Sequence, residues 1–304
     1  MHIRKPFAYL LAAGLLAPAP SFAAGDLPTK FSNQGTIANT RHNLTQRQDS
    51  GGPAGASMDP YRNDYQQVCV YCHTPHAANQ NINAPLWNRT VRTTTYTLYS
   101  QQTLSQDATQ PGPNSLTCLS CHDGQTAVDS IVNMPGSGGY NAALALNPSD
   151  TTSQSLLDTW NNTRGPDATV HAGLNGAGCL ACHAPVSGPT DPLTVVKAGA
   201  TDFSAFAIGT DLSNDHPVGV KLPSGSDWNV PSGTYRNIRF FDANGNNRPD
   251  KDELRFYDSG QGFEVECASC HDPHGVPGTA ATFLPTFLRV TADGSKICLT
   301  CHVK

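Results

Sequence analysis

The sequence predicts a mostly irregular chain, with short helices at five repeated Cys-x-x-Cys-His pentapeptides and a few short β-hairpins. Its core should come from something other than packed side chains. Three observations carry this. Gly and Pro number 27 and 23 of 304 residues, and with abundant Asn, Ser and Thr they favour turns over long helices or sheets. Apolar residues make up 38% and aromatics 8%, thin for a length that ordinarily buries a large core or splits into two domains. All ten Cys fall in the repeated pentapeptide. The formal net charge of −5 argues against a nucleic-acid partner held through phosphate contacts.

Residues 1–23 read as a secretory signal peptide. His2, Arg4 and Lys5 make a polar, positive start, Phe7 to Ala17 an apolar stretch, and Ser21-Phe22-Ala23 a small-residue cleavage site. The apolar stretch is too short for a bilayer, which takes about 20 helical residues, and no later segment is apolar enough to cross one. Removing Arg4 and Lys5 leaves 17 basic against 24 acidic residues, a net charge of −7. Such a surface suits basic redox partners.

Ten Cys in an exported chain would ordinarily suggest disulfides, but the spacing speaks against them. The pairs are Cys69 and Cys72, Cys118 and Cys121, Cys179 and Cys182, Cys267 and Cys270, and Cys298 and Cys301. They are followed directly by His73, His122, His183, His271 and His302. Neither a disulfide nor a zinc site of two Cys-x-x-Cys units requires that His. The spacing is the attachment signature of c-type haem. Positions i and i+3 share one face of a helical turn, so both sulfurs can form thioethers to the haem vinyls. The His at i+4 lies over the same face as proximal iron ligand. Five covalently attached haems are expected.

Besides His2, five His remain: His42, His76, His171, His216 and His274. Five irons need five distal ligands, and the mature chain has only Met58 and Met134, neither near a motif. Bis-His ligation throughout is the expectation. His76 and His274 occur in Cys-His-Thr-Pro-His and Cys-His-Asp-Pro-His. The rigid Pro points each away from its own haem and toward a neighbouring one. His42, on a polar segment, could serve its own chain or a neighbouring subunit. Two imidazoles per iron leave no open position, so the chemistry is outer-sphere electron transfer at potentials below those of Met/His haems.

Successive first Cys are 49, 61, 88 and 31 residues apart, so this is a motif array and not a fixed-period solenoid. Residues 24–60 form an N-terminal arm, and 61–304 a single domain. Within 235–257, Tyr235 to Phe241 and Leu254 to Tyr257 read as strands around a polar turn. That turn carries Asp242, Asn244, Asn246, Asp250 and Glu253 at positions 1, 3, 5, 9 and 12 of a candidate calcium loop. Asn247 stands where such loops have Gly. Trp87 reads as a packing residue against a haem.

Cys-x-x-Cys-His-Thr-Pro-His followed by Pro85-Leu86-Trp87-Asn88-Arg89, Asn214 to Gly219, and Cys267 to Gly275 resemble the multihaem c-type cytochromes of metal- and electrode-reducing bacteria. Within that group the chain is similar to secreted, filament-forming (OmcE- and OmcS-like nanowire) cytochromes, though its haem count departs from theirs. The resemblance implies stacked haems and a homopolymer in which one distal His, such as His42, ligates a haem of the next subunit.

Taken together, the sequence reads as an exported, non-enzymatic electron-transfer protein, extracellular in preference to periplasmic. Its partners would be other redox proteins or copies of itself. Two alternatives stay open. One is a pentahaem reductase, nitrite reductase-like, with one open haem; the other is a monomeric periplasmic shuttle.

Overall fold

A computed structural model describes residues 32–44, 65–133 with short gaps, 203–277 and 286–303, together with 173–174, 179–180 and 184. The expected signal peptide, most of the 24–60 arm, and His171, Cys182 and His183 lie outside the described residues. No helix among the described residues is long and apolar enough to cross a membrane.

Among the described residues regular structure is sparse. Helix α1 (Pro113–His122) carries the second motif, α2 (Cys267–Cys270) the fourth and α3 (Lys296–Cys301) the fifth. The first motif forms a single turn closed by the His73 N–H to Cys69 carbonyl bond (2.8 Å). The same bond recurs from His271 to Cys267 (3.1 Å) and from His302 to Cys298 (2.8 Å). Pro113 starts α1 with its φ already fixed. Pro75 and Pro273 come two residues after His73 and His271 and disfavour helical backbone in the residue between.

Five short strands form one antiparallel sheet in the order β1-β5-β4-β3-β2: β1 (Val220–Lys221), β2 (Gly233–Tyr235), β3 (Ile238–Phe240), β4 (Arg255–Asp258) and β5 (Phe263–Val265). The strand expected over Tyr235 to Phe241 is instead two. Arg236, at φ +53°, turns the chain, so that Tyr235 pairs with Ile238. Gly233 is required by close approach, since a Cβ there would fall 2.4 Å from the Phe240 ring. Among the described residues two small apolar clusters form. Tyr65, Val70, Tyr71 and Ile131 form one, and Tyr96, Leu119 and Leu212 another.

Polar side chains do much of the joining. The buried Glu266 carboxylate links α1 to α2. It accepts hydrogen bonds from the Gly112 N–H (2.9 Å) and the Ser115 hydroxyl, and Ser115 in turn accepts from the Cys267 N–H (2.9 Å). A Cβ on Gly112 would lie 2.3 Å from that carboxylate. Burial pushes Glu266 up from 4.5 to about 7, against the opposing bonds from Ser115 and Gly112.

Three backbone straps hold motifs in a shared pattern. In the first, the Leu86 carbonyl accepts from Thr74 N–H (2.9 Å), Trp87 bridges His73, and Asn88 N–H donates to the Cys72 carbonyl (2.8 Å). Phe287, Leu288 and Arg289 repeat this on Asp272, His271 and Cys270 at 3.0 and 2.8 Å. Asp227, Trp228 and Asn229 repeat it on Val303, His302 and Cys301 at 2.9 and 2.8 Å. Leu86 and Phe287 sit at φ +53° and +56°, a conformation that costs about 1–2 kcal/mol for a residue with a Cβ. The bonds on both sides hold them there.

Asn88 is fully buried and donates to the Val70 and Asn133 carbonyls (2.7 and 3.0 Å), while its own oxygen accepts from Asn133 N–H (2.8 Å). Arg89, also fully buried, runs on to the second motif. It donates to the Ser120 hydroxyl and to the Ser120, Ala127 and Val128 carbonyls.

Two tests follow from these joints. Glu266 binds a proton more tightly folded than unfolded, so its contribution to stability falls as pH rises from about 4.5 through about 7. The denaturation midpoint of E266Q, measured against wild type, should therefore gain on it across that window. N88A strands buried partners in the first strap and should cost about 2–4 kcal/mol, read as a lowered denaturant midpoint.

Candidate functional site

Six described histidines share one arrangement at Nδ1. His73 Nδ1 lies 2.8 Å from the Pro85 carbonyl, and His122 Nδ1 lies 2.6 Å from that of Phe206. His271 Nδ1 bonds the Thr286 carbonyl. His42 and His216 Nδ1 are each 3.2 Å from the Pro273 and Pro217 carbonyls. His274 Nδ1 is 3.2 Å from the Asp272 carboxylate, which also pairs with Arg289. A carbonyl or carboxylate oxygen only accepts, so the proton resides on Nδ1 and the lone pair on Nε2. Such a partner fixes tautomer and ring orientation in metal-bound His.

Two ring pairs have a matching separation. The His73 and His274 centroids are 6.0 Å apart with planes at 15°, and those of His42 and His122 are 6.1 Å apart with planes at 79°. A metal–imidazole bond of about 2.0 Å on each side, plus roughly 1.1 Å from nitrogen to ring centre, sets a trans pair about 6.2 Å apart. Each separation is the one expected if the pair held an iron between its Nε2 atoms. His274 lies in the fourth motif's segment and pairs with the first motif's proximal His. His42 pairs within its own chain. Its segment is tied down by the Gly35 N–H to Val276 carbonyl bond (2.8 Å) and by Lys251 Nζ, which donates to the Gly35 and Gly275 carbonyls.

The electrostatics suit neutral ligands. Burial, with His122 next in effect, lowers His42 to about 4. Burial is also the largest cause of the lowered values at His73, His122 and His271. Metal binding requires the neutral imidazole. Burial raises the Cys72 and Cys301 thiols to about 12 and Cys270 to about 11. Burial works to raise Asp272, but the His274 bond and Arg289 hold it at about 2.

The motifs are neighbours in space. The Cys118 and Cys267 thiols interact directly, raising Cys118 and lowering Cys267. Cys121 acts electrostatically on Cys72, and Cys298 on Cys270. No disulfide joins the described cysteines. Of the third motif only Cys179 is described among the expected attachment and ligand residues. His76 and His216 are exposed, and neither has a ring partner among the described residues. His216 bears electrostatically on His271.

The expected packing of Trp87 has a counterpart that the sequence reading missed. Trp87 stands edge-on to His73, with centroids 5.6 Å apart, and Trp228 lies 4.2 Å from His302. The repeated Trp-Asn dipeptide, at 87–88, 160–161 and 228–229, was the available signal, with 160–161 outside the described residues. The carbonyls that orient the proximal rings had no signal, because any residue supplies one.

The candidate calcium loop folds onto itself. Asp242 accepts from the Gly245, Asn246 and Asn247 N–H groups, Asn247 lying at φ +59°. Glu253 accepts from the Ala243 and Asp250 N–H groups, and the Asn244 and Asn246 amides both donate to Asp250 at 2.7 Å. Among the described residues no group of three or more His, Cys, Asp or Glu side chains is arranged to hold a metal ion.

A search of curated proteins finds no match to the chain. Residues 261–304, which hold the fourth and fifth motifs, match the family described as "Doubled CXXCH motif". That match supports a protein that binds c-type haem covalently and transfers electrons.

Proposed function

We propose that the protein is an exported pentahaem cytochrome that passes electrons among five bis-His haems and acts outside the cell. The observation that carries this is the pair of imidazole couples at 6.0 and 6.1 Å. They support His274 as the distal ligand of the first haem and His42 as that of the second. Bound haem supplies reversible one-electron chemistry at iron, with its potential set by ligands and surroundings. The residues of this chain hold the rings and keep Nε2 unprotonated; with haem bound, each couple would supply two imidazoles to its iron, which favours conduction over catalysis.

The thiol neighbours support a spatial order of first, second, fourth and fifth motif, with His216 serving the fourth. His76 is left for the third motif or for a haem of a neighbouring copy. Polymerisation of the secreted protein into a filament, as the resemblance implies, completes the reading.

Intact-mass measurement of the mature protein should show five haem additions, and a smaller number overturns the count. Electron paramagnetic resonance of the oxidised protein should show low-spin iron throughout. A substantial high-spin component would favour an open haem and the reductase alternative. Electron microscopy of secreted material should show filaments, and discrete monomers at high concentration remove that part of the reading.

A further inference from the structure

We infer that Phe287 is a positioning residue that holds the distal imidazole of the second haem crossed to its proximal partner, making that haem electronically distinct from the first. The inference rests on the axial pairing proposed above.

His42 is fixed in two ways. Its Nδ1 donates to the Pro273 carbonyl (3.2 Å), and its ring lies flat on that of Phe287, with centroids 4.6 Å apart and planes within 6°. Phe287 is buried, at 8% exposure, and holds φ +56°. A bulky side chain in that region is an outlier, and such strain gathers where surrounding bonds over-determine a functional conformation. Those bonds are here. Asp272 N–H donates to the Phe287 carbonyl, and the flanking residues Thr286 and Arg289 bond His271 and the Cys270 carbonyl. One strap segment thus orients the fourth motif's proximal ring and the second motif's distal ring. Across the iron position, His122 is held independently by the Phe206 carbonyl. The result is a plane angle of 79°, against 15° for His73 and His274.

The angle has electronic consequences. Each imidazole donates π-density to the iron d-orbital perpendicular to its plane. Parallel rings both raise the same orbital, which splits the pair and stabilises the ferric hole. Crossed rings raise both orbitals alike, leaving them nearly degenerate and the ferric state less stabilised. The His42–His122 site should therefore give a highly anisotropic low-spin signal and the higher potential. The His73–His274 site should give a rhombic signal and the lower one. A second contact points the same way. His274 donates Nδ1–H to a carboxylate, whereas His42, His73, His122, His216 and His271 use carbonyls. A charged acceptor makes the ring a stronger donor to the metal.

The test uses the intact oxidised holoprotein, with haem content checked for every variant. Wild type should show a highly anisotropic low-spin signal that is lost in H42A, where one haem becomes high spin. F287L should convert that signal to a rhombic one and lower one midpoint potential, whereas F287Y should keep the wild-type spectrum and potential. An unchanged anisotropic signal in F287L, or its absence from haem-loaded wild type, overturns the role of Phe287. Absence of haem, or an H42A variant that stays low spin throughout, overturns the axial pairing itself.

Discussion

The hydrogen bond from the imidazole Nδ1–H of a Cys-x-x-Cys-His motif to a backbone carbonyl is the constraint around which the described structure is organised. The donors His73, His122 and His271 come directly after a Cys, and the acceptors at Pro85, Phe206 and Thr286 come from distant segments. Each bond fixes a tautomer, and through it which nitrogen is left for iron. To deliver the carbonyl at the correct angle the chain accepts strained backbone at Leu86 and Phe287. The sheet, the short helices and the straps can be understood as the means of bringing those carbonyls into place.

The interior between motifs is polar to a degree unusual for a buried region. Arg89 lies fully buried on hydroxyl and carbonyl oxygens, Asn88 spans three chain segments, Glu266 joins two helices, and Asp272 pairs with Arg289. Buried networks of this kind rigidify when every member is satisfied and cost heavily when one is not. Directional hydrogen bonds, together with ring contacts such as Phe287 on His42, hold the imidazole planes. The same network places a permanent positive charge between the first and second motifs and a carboxylate between the second and fourth. On the proposed reading, those charges are further levers on haem potential.

Neighbourhood in space departs from order in the chain. The second motif touches the fourth through Cys118 and Cys267, and the first takes its ring partner from the segment after the fourth. The N-terminal segment crosses to the second motif through His42. Loss of one connection would thus disturb two sites. The strap that carries Phe287 makes this concrete, since it orients one ring of the fourth motif and stacks on a ring of the second.

By itself the sequence located the five Cys-x-x-Cys-His motifs and the five further histidines besides His2, because c-type attachment demands a fixed local spacing that fits within one helical turn. Its Gly, Pro and small polar residues predicted few long helices or large sheets, and the described residues hold short helices and one sheet of two- to four-residue strands. Which distal ring meets which proximal ring was not legible. Partners such as His73 and His274 are far apart along the chain, and only folding brings them together. The split of Tyr235 to Phe241 into two strands was hidden because Arg236 is an uncommon residue for a left-handed turn. The roles of Pro85, Phe206 and Thr286 are carried by carbonyl groups that every residue has, so nothing in their side chains announces them. Local chemistry is written in residue types and spacing, whereas ring planes and pairings depend on where the backbone passes.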